Sequence, residues 1–280
     1  MASITRYLPR KILSRLVGNL VHLRLPWLLR YPLIWAFAKL YRINLEEAEK
    51  PLGEYPSLGE FFARALKPQA RPLGFSSMVH CADSRITQIG VISDQTVVQA
   101  KGQTYALGEI LGEEDSIGPR ELEGGLFVTY YLCPRDYHRV HAPSDGEVLK
   151  VKYIPGDLWP VNSWSTQNVS RLFCLNERMV IEMSTPHGPL ALVLVGATNV
   201  GFIELAFDAS LKSNKGNSPR VRKYSPTVKI KKGEELGRFR MGSTVVVFLG
   251  PAWKNQLGDL SQVASRLRGS QVQVRADFKE

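Results

Sequence analysis

The sequence has 280 residues, of which 44% are apolar and 22% are charged, as in ordinary globular proteins. This composition excludes collagen, coiled coils and intrinsically disordered chains. Lys and Arg outnumber Asp and Glu by 36 to 26, which gives a formal net charge of +10.

The positive charge is concentrated in two segments. Residues 1–45 contain eight basic and no acidic side chains, and residues 209–233 contain another eight basic and no acidic ones. The remainder has 20 basic against 26 acidic residues, a net charge of −6. A general nucleic-acid binder would carry basic residues over its whole folded body, so no nucleic-acid partner is expected. The distribution favours contact with an anionic surface at particular places.

Two short apolar segments open the chain. Residues 12–25 have helical spacing of apolar side chains, and residues 33–41 are nearly all apolar. A membrane-spanning helix needs about 20 mostly apolar residues, and Pro26 and Pro32 interrupt this stretch. No signal-peptide cleavage motif follows. We predict two helices that lie in the membrane interface, with Trp and Tyr at headgroup depth; a core-packing hairpin and an organelle transit peptide stay open as alternatives.

The next segment ends the helical part of the chain. Ser57 and Glu60 form a capping-box pattern, which predicts a short helix through Leu66. Two prolines within residues 67–72 exclude a regular helix there. We therefore predict a helical region at residues 1–75 and a β-rich catalytic domain at residues 76–280.

Beyond residue 80 the sequence alternates between short strand patterns and turns. The predicted strands are residues 126–132, 148–154, 179–183, 190–195, 198–207 and 244–249. The predicted fold class is α+β, with a mainly antiparallel β domain. Residues 141–157 and 232–237 share turn patterns similar to barrel-sandwich domains, which predicts two barrel-sandwich-like halves. The basic segment 212–232 is predicted to be a flexible loop, and the amphipathic stretch 257–267 has no assigned place.

Three cysteines, Cys81, Cys133 and Cys174, lie far apart and show no metal-binding spacing. An odd number cannot all pair within one chain. We predict reduced structural thiols in a cytosol-like compartment, and no metal site.

His138 and His141 lie three residues apart, directly after a predicted strand. Such a pair points to opposite faces of an extended segment, and a turn between them would let both converge. The pair alone is as compatible with a structural or metal-binding role as with catalysis. The neighbouring Arg135, Asp136 and Arg139 favour a functional site, because a core strand does not accommodate so many polar groups without partners.

A Gly-Ser pair, Gly242 and Ser243, precedes the last predicted strand. Such a pair is usually a plain turn. Glycine also permits strained backbone and close approach to its carbonyl, so a serine directly after it can attack that carbonyl. The pattern alone leaves both interpretations open.

Several stretches together resemble the phosphatidylserine decarboxylase family of bacteria and mitochondria. They are residues 61–64, 66–68, 131–141, 176–178, 195–198, 200–201 and 233–244. The resemblance extends in order from about residue 47 to residue 249, which makes it highly specific.

The resemblance implies a proenzyme that cuts its own backbone between Gly242 and Ser243, giving a β chain of residues 1–242 and an α chain of residues 243–280. By the same resemblance, Ser243 attacks the Gly242 carbonyl and is converted into a pyruvoyl group, the covalent cofactor. The family assigns the base to His141, oriented by Asp83. Asp83 stands in Cys-Ala-Asp-Ser where the family usually has Pro-Ala-Asp-Gly, and Met241 replaces a leucine of similar volume.

The implied activity is pyruvoyl-dependent decarboxylation of phosphatidylserine to phosphatidylethanolamine and CO2. We assign His138 the role of proton donor or Schiff-base partner in that reaction. The expected partners are phosphatidylserine in an anionic membrane and the protein's own two chains; a homodimer stays open. The expected location is the cytoplasmic face of the bacterial inner membrane or, alternatively, the mitochondrial inner membrane.

Two other functions stay open. A non-catalytic barrel-sandwich carrier or lipid-binding module would remain one uncut chain. A pyruvoyl decarboxylase of a soluble amino acid would have no use for the basic, apolar N-terminal segment.

Overall fold

The computed structural model describes residues 20–100, 102–112, 117–198, 202–213, 218–240 and 243–279. Its helices are α1 (Trp27–Leu40), α2 (Leu58–Phe62), α3 (Leu107–Leu111), α4 (Pro119–Leu122), α5 (Ser163–Asn168), α6 (Leu172–Leu175), α7 (Lys254–Leu257) and α8 (Leu260–Leu267). Its strands are β1 (Ser84–Val91), β2 (Thr96–Ala100), β3 (Gln103–Ala106), β4 (Leu126–Leu132), β5 (Arg139–His141), β6 (Gly146–Ile154), β7 (Arg178–Thr185), β8 (Gly188–Gly196), β9 (Ile203–Leu205), β10 (Arg220–Ile230), β11 (Glu235–Phe239), β12 (Ser243–Leu249) and β13 (Gln271–Val272).

Eight strands form one antiparallel sheet, in the order β10-β6-β7-β8-β12-β4-β1-β13. Strands β5, β11 and β9 form a second sheet, and β2 pairs with β3. The predicted α+β class with mainly antiparallel strands is therefore confirmed. Among the described residues of the strand predicted at 198–207, Ile203–Leu205 form β9; residues 199–201 lie outside the described ranges.

The predicted pair of barrel-sandwich-like halves is wrong. The two similar segments do not form equivalent units: residues 146–154 enter the eight-stranded sheet as β6, whereas residues 235–239 enter the three-stranded sheet as β11, where Glu235 pairs with His141 of the first segment. The strands described by the structure form no closed barrel. A shared turn pattern specifies local backbone geometry and does not specify which strands pair, so the similarity did not extend to the fold.

The strand β12 lies at the centre of the large sheet, between β8 and β4. All seven of its residues are buried. Val245 and Val247 pack into the core on one face of the sheet, and Val246 and Phe248 pack into the core on the other. Burial on both faces explains why this segment is a continuous apolar run without alternation.

The helix α1 begins earlier than predicted and continues through Pro32. Pro32 lies in the second turn, where its missing N–H removes a single helical hydrogen bond. Ile34 and Ala38, one turn apart, are buried against Tyr55 and Phe61. Most of the predicted helix at residues 12–25 lies outside the described ranges.

Much of the apolar surface of α1 remains exposed. The exposed large side chains are Trp27, Leu28, Leu29, Tyr31, Leu33, Trp35 and Leu40. Within the described ranges, no helix is both long enough and apolar enough to cross a membrane.

The capping pattern at Ser57 is confirmed, because its hydroxyl accepts the backbone N–H of Glu60 at 3.2 Å. The helix it begins, α2, ends at Phe62 rather than Leu66. A short 3₁₀ turn, Pro68–Ala70, replaces regular helix in the proline-containing segment. The division into two domains near residue 75 stays a prediction.

Part of the second basic segment is a strand and not the flexible loop predicted at residues 212–232. Residues 220–230 form β10, the edge strand that pairs with β6. Tyr224, Val228 and Ile230 pack against the core, and most of the basic side chains face solvent. Charged side chains on an edge strand hinder pairing with other chains. The same charged residues are typical of a solvent-exposed loop, so the sequence pattern did not identify the strand. Residues 214–217 lie outside the described ranges.

The C-terminal segment packs on the sheet. The helix α8 buries Leu260, Val263, Ala264 and Leu267, and β13 pairs with the edge of β1. Residues 243–280 therefore supply both a central strand and an edge strand of the same sheet. A chain cut before residue 243 would stay bound through these two strands.

Candidate functional site

Ser243 is the first residue of β12, and its side chain is fully buried. Its neighbours across the two ladders are Leu132 of β4 and Gly196 of β8. Directly opposed residues lie on the same face of a sheet, and the backbone of Glu177 and the side chain of Leu158 fill the space where a Gly196 side chain would lie. Gly242, and with it the predicted cleavage bond, lies outside the described residues.

The imidazole of His138 contacts Ser243. Its Nδ1 lies 3.3 Å from the Ser243 hydroxyl oxygen, and its Nε2 lies 3.0 Å from the carbonyl oxygen of Cys133. A carbonyl can only accept, so Nε2 carries the proton and Nδ1 presents its lone pair to the serine hydroxyl. Burial, together with the nearby charge of Arg64, lowers the pKa of His138 to about 3. The ring is therefore neutral at physiological pH.

A tight turn fixes the carbonyl that orients His138. The carboxylate of Asp136 accepts the Cys133 N–H at 2.7 Å, and the Asp136 N–H donates to the Cys133 carbonyl at 2.9 Å. The ring of Phe62 lies against the imidazole, with 4.0 Å between centroids. Burial raises the pKa of Asp136 to about 6.

Arg64 connects this turn to the helical region. Its Nη2 donates to the carbonyls of Arg135 at 3.1 Å and Asp136 at 3.3 Å. The guanidinium is buried, and burial lowers its pKa. Phe62 and Arg64 thus bring residues from the end of α2 directly onto the turn that holds His138.

His141 lies in a different environment. Its Nδ1 donates to the Gly233 carbonyl at 2.8 Å, and its Nε2 accepts the Tyr137 hydroxyl at 3.1 Å. Both ring nitrogens are engaged, so His141 does not reach Ser243 in this arrangement. Burial lowers its pKa, while the hydrogen bond to Gly233 acts in the opposite direction. The two histidines do not converge, as expected for an extended segment without a turn between them.

Asp83 is bound to an arginine rather than to a histidine. Its carboxylate accepts from Arg71 Nε at 3.0 and 3.1 Å, from Arg71 Nη2 at 2.6 Å and from the Val274 N–H at 2.8 Å. Arg71 also pairs with Glu47 at 3.0 Å. The carbonyl of Gly233, and not Asp83, fixes the proton position on His141. The relay of Asp83, His141 and Ser243 implied by the resemblance is therefore not assembled in this arrangement.

The segment that precedes the predicted cut is anchored beside His138. The N–H of Phe239 donates to the His138 carbonyl at 3.0 Å. The side chain of Arg240 forms ion pairs with Glu60 and with Glu204. His138 therefore contacts both sides of the predicted cut, Phe239 through its backbone carbonyl and Ser243 through its imidazole.

The sequence identified the turn beside His138 as functional, but it did not predict which groups contact the two histidines. The polar density around Asp136 marked the segment as functional, and Phe62 and Arg64 belonged to a stretch that resembles the family. The carbonyls of Cys133 and Gly233 gave no signal, because any residue type supplies a backbone carbonyl.

The chain is similar to proteins of one family over most of its length. Residues 58–274 match the family model described as phosphatidylserine decarboxylase. A phosphatidylserine decarboxylase proenzyme of Myxococcus xanthus is 40% identical over 259 residues, which cover 91% of each chain. A protein of the same name from Methylobacillus flagellatus is 43% identical over 241 residues, 85% of each chain. Another, from Aliivibrio fischeri, is 41% identical over 250 residues, 87% of this chain and 86% of the relative.

Proposed function

The chain belongs to the phosphatidylserine decarboxylase family, and we propose from that premise that it cuts itself and then converts phosphatidylserine to phosphatidylethanolamine and CO2. One observation carries the assignment of the site. A buried, neutral imidazole, His138, contacts the first side chain of the central strand, Ser243, at 3.3 Å. Both the cut and the later chemistry involve residue 243.

The proposed cut lies between Gly242 and Ser243. The Ser243 hydroxyl adds to the Gly242 carbonyl carbon, a base takes its proton, and the peptide C–N bond breaks to leave an ester and a free amine. Loss of the α-proton of residue 243 then expels the Gly242 carboxylate. Water replaces the nitrogen of residue 243 by oxygen and releases ammonia. The new α chain begins with a pyruvoyl group and keeps its place as β12.

For the base of this cut we retain His141, with Asp83 as its supporting carboxylate. A pKa of about 3 makes His138 a weak base for a serine hydroxyl. The His141 proton is on Nδ1, so its basic Nε2 holds only the exchangeable hydroxyl of Tyr137. To act as the base, Nε2 of His141 must give up its hydrogen bond with the Tyr137 hydroxyl and form one with the Ser243 hydroxyl in the uncut chain. Asp83 follows Cys81 by two residues, and the carbonyl of Cys81 accepts the His141 backbone N–H at 2.8 Å.

The surroundings of residue 243 fit a pyruvoyl group. The side chain there is fully shielded from water and lies 3.3 Å from the His138 imidazole. Such a group supplies a carbonyl that accepts the electrons left behind when CO2 departs. His138 faces the substrate at this position as the donor of a proton to its α-carbon. An anionic substrate beside the ring raises the His138 pKa and so favours the proton-carrying form.

The helix α1 is the proposed membrane contact. Trp27 is 57% exposed, Leu28 75% and Leu40 74%, and residues 20–45 contain no acidic side chain. An apolar helix surface with basic residues suits the interface of an anionic membrane. Phe37 of α1 packs against Phe62, with 6.3 Å between centroids, which links the membrane contact to His138. The bacterial relatives favour the bacterial inner membrane over the mitochondrial one.

The test is CO2 release from phosphatidylserine in detergent micelles. The wild-type chain should release CO2 and form phosphatidylethanolamine, and Ser243→Ala should do neither, because it cannot form the pyruvoyl group. A folded wild-type chain that stays at 31.4 kDa and reacts with no carbonyl reagent would support the non-catalytic lipid-binding module instead. Turnover of free amino acids but not of phosphatidylserine would support the soluble amino-acid decarboxylase.

A further inference from the structure

The short segment that follows β13, residues 274–278, packs back onto residues 74–80. The Arg275 N–H donates to the His80 carbonyl at 2.9 Å. The side chain of Phe278 is fully buried, and its ring lies against the His80 imidazole with 5.1 Å between centroids. Backbone hydrogen bonds and a buried aromatic side chain give this segment a fixed position in the fold.

Two hydrogen bonds connect this segment to the groups that hold His141. The Arg275 Nε donates at 3.0 Å to the Gly233 carbonyl, which also accepts the His141 Nδ1–H at 2.8 Å. A carbonyl oxygen has two lone pairs, so it can accept both bonds. The Val274 N–H donates at 2.8 Å to the Asp83 carboxylate. The segment thus contacts both the carbonyl that fixes the His141 proton and the carboxylate proposed to support that ring.

The backbone is unusual at both residues of the contact between Arg275 and Gly233. Arg275 has a φ of 69°, in the left-handed region that residues with a side chain rarely adopt. Gly233 has a φ of 77°, and a Cβ built there would lie 3.4 Å from Arg275 Nε. Glycine at position 233 therefore lets the guanidinium approach the carbonyl closely. Strained backbone persists where the surrounding structure holds it, and at Arg275 it directs the side chain to the Gly233 carbonyl.

Arg275 also acts on the His141 imidazole through its charge. The charged groups that act on this ring are Arg139 on β5, Glu235 on β11 and Arg275. Arg139 and Glu235 form an ion pair with each other at 2.8 Å, so their charges offset. Burial raises the pKa of the Tyr137 hydroxyl, which therefore stays protonated beside Nε2. Burial lowers the pKa of His141, and the guanidinium of Arg275 lowers it further, which keeps the ring neutral and able to accept a proton.

We infer that Arg275 is a positioning residue for self-cleavage: from the part of the chain that follows the cut, it holds the Gly233 carbonyl on which His141 is oriented. The inference rests on the proposed function, with His141 as the base. Arg275 lies just outside residues 58–274, which match the family model. His141 and Gly233 precede the proposed cut, whereas Arg275 follows it. The base is therefore fully oriented only after the segment that contains Arg275 has docked.

The test is the rate of self-cleavage as a function of pH, measured by denaturing electrophoresis on the full chain made by cell-free synthesis. The rate should rise with pH to a plateau, because only the neutral His141 ring accepts the serine proton. In Arg275→Gln the plateau should fall about tenfold, the equivalent of one hydrogen bond from a charged group. Its midpoint should move to higher pH, because loss of the cation raises the His141 pKa. Arg266→Gln is the matched control, since it removes the same charge from an exposed position on α8 and should change neither.

Two further variants keep the inference testable if Arg275→Gln folds poorly. Arg275→Gly suits a positive φ and removes the guanidinium, so the folded chain should show the same slower cut and higher midpoint. Arg275→Lys keeps a positive charge and a donor, so its midpoint should stay near that of the wild type. In a His141→Gln background, Arg275→Gln should slow the cut no further, because Arg275 acts through His141.

A slower cut with an unchanged midpoint would make Arg275 a structural contact only and overturn the inference. Folded Arg275→Gln and Arg275→Gly chains that cut with the rate and midpoint of the wild type would overturn it as well. A wild-type chain that stays uncut would refute the proposed function itself. A wild type that cuts, beside a His141→Gln chain that cuts equally fast, would refute the base on which Arg275 is inferred to act.

Discussion

His138 and His141 are three residues apart and have opposite surroundings. His138 precedes β5, lies under Phe62 and presents the lone pair of Nδ1 to Ser243. His141 ends β5 and has both nitrogens bound by protein groups, Gly233 and Tyr137. The imidazole of His138 is therefore directed at the reacting residue, Ser243, whereas both nitrogens of the His141 imidazole are occupied by hydrogen bonds within the protein.

The comparison suggests that the two imidazoles act in different steps. A strongly depressed pKa keeps the His138 ring neutral until a charged substrate arrives, which suits a proton donor that acts after the cut. His141 keeps its proton on Nδ1, toward Gly233, and a basic Nε2 on the other side, which suits a base. Each ring should consequently fail at a different step when it is replaced.

The largest effect is expected for His138→Gln. Loss of a positioned proton donor typically costs 10²- to 10⁴-fold in rate, so turnover of phosphatidylserine should fall by about that factor. The chain should still cut itself. Denaturing electrophoresis measures the cut, and CO2 release per cut molecule measures the turnover. Normal turnover of the cut variant would remove His138 from the reaction.

His141→Gln should show the converse behaviour. We expect self-cleavage to slow about 100-fold, at the lower end of general-base effects, because no other basic imidazole is available. The fraction that does cut should decarboxylate at a rate near that of the wild type. A chain with His141→Gln that cuts at the normal rate, beside a chain with His138→Gln that stays uncut, would give the base role to His138.

The ion pair between Asp83 and Arg71 should contribute to the free energy of unfolding. In the uncut Ser243→Ala background, Asp83→Asn should lower the free energy of unfolding by about 3 kcal/mol, because it leaves a buried guanidinium with Glu47 as its one carboxylate partner among the described residues. Glu47→Gln is the control. It touches the same arginine from a more exposed position and should cost about 1 kcal/mol or less. Equal losses in urea unfolding would contradict this ranking.

The smallest predicted effect is a pH dependence of stability that comes from His138. Its folded pKa of about 3 lies below the usual 6.5, so only the unfolded chain takes up a proton between these values. The free energy of unfolding should therefore fall as the pH is lowered from 6.5, by about 1 kcal/mol at pH 5.5.

Urea unfolding of the Ser243→Ala chain at both pH values, with and without His138→Gln, isolates this contribution. Asp136, whose pKa is raised to about 6, contributes with the opposite sign, because the folded chain takes up its proton first. That contribution is common to both proteins and cancels in the difference. Identical pH slopes in the two proteins would show that the His138 pKa is close to its ordinary value.

The sequence predicted those parts of the fold that depend on local pattern. The continuous apolar run at residues 244–249 and the alternation at residues 148–154 identified β12 and β6, and the Ser57 pattern identified the start of α2. The strand β10 escaped prediction, because its basic residues are typical of a loop and its pairing with β6 is visible only in the folded sheet. The false symmetry of two halves arose in the same way, from turns that do not specify strand partners.

The sequence identified the residues of the candidate site, but it did not predict all of the hydrogen-bond partners of their side chains. Ser243 and His138 were selected from sequence, and the structure places them together. Asp83 and His141 were selected as well, yet Arg71 and Gly233 occupy the positions that the resemblance gives to their partners. Arg71 lies in a proline-containing segment with no functional pattern, and contacts between segments distant in sequence depend on the whole fold.

The most direct test of the account is the intact mass of the purified wild-type protein beside that of Ser243→Ala. We predict two fragments for the wild type, residues 1–242 and residues 243–280, the second beginning with a pyruvoyl group and resistant to N-terminal sequencing. Ser243→Ala should give one uncut chain. A single uncut wild-type chain after long incubation, or a cut at another bond, would contradict the account.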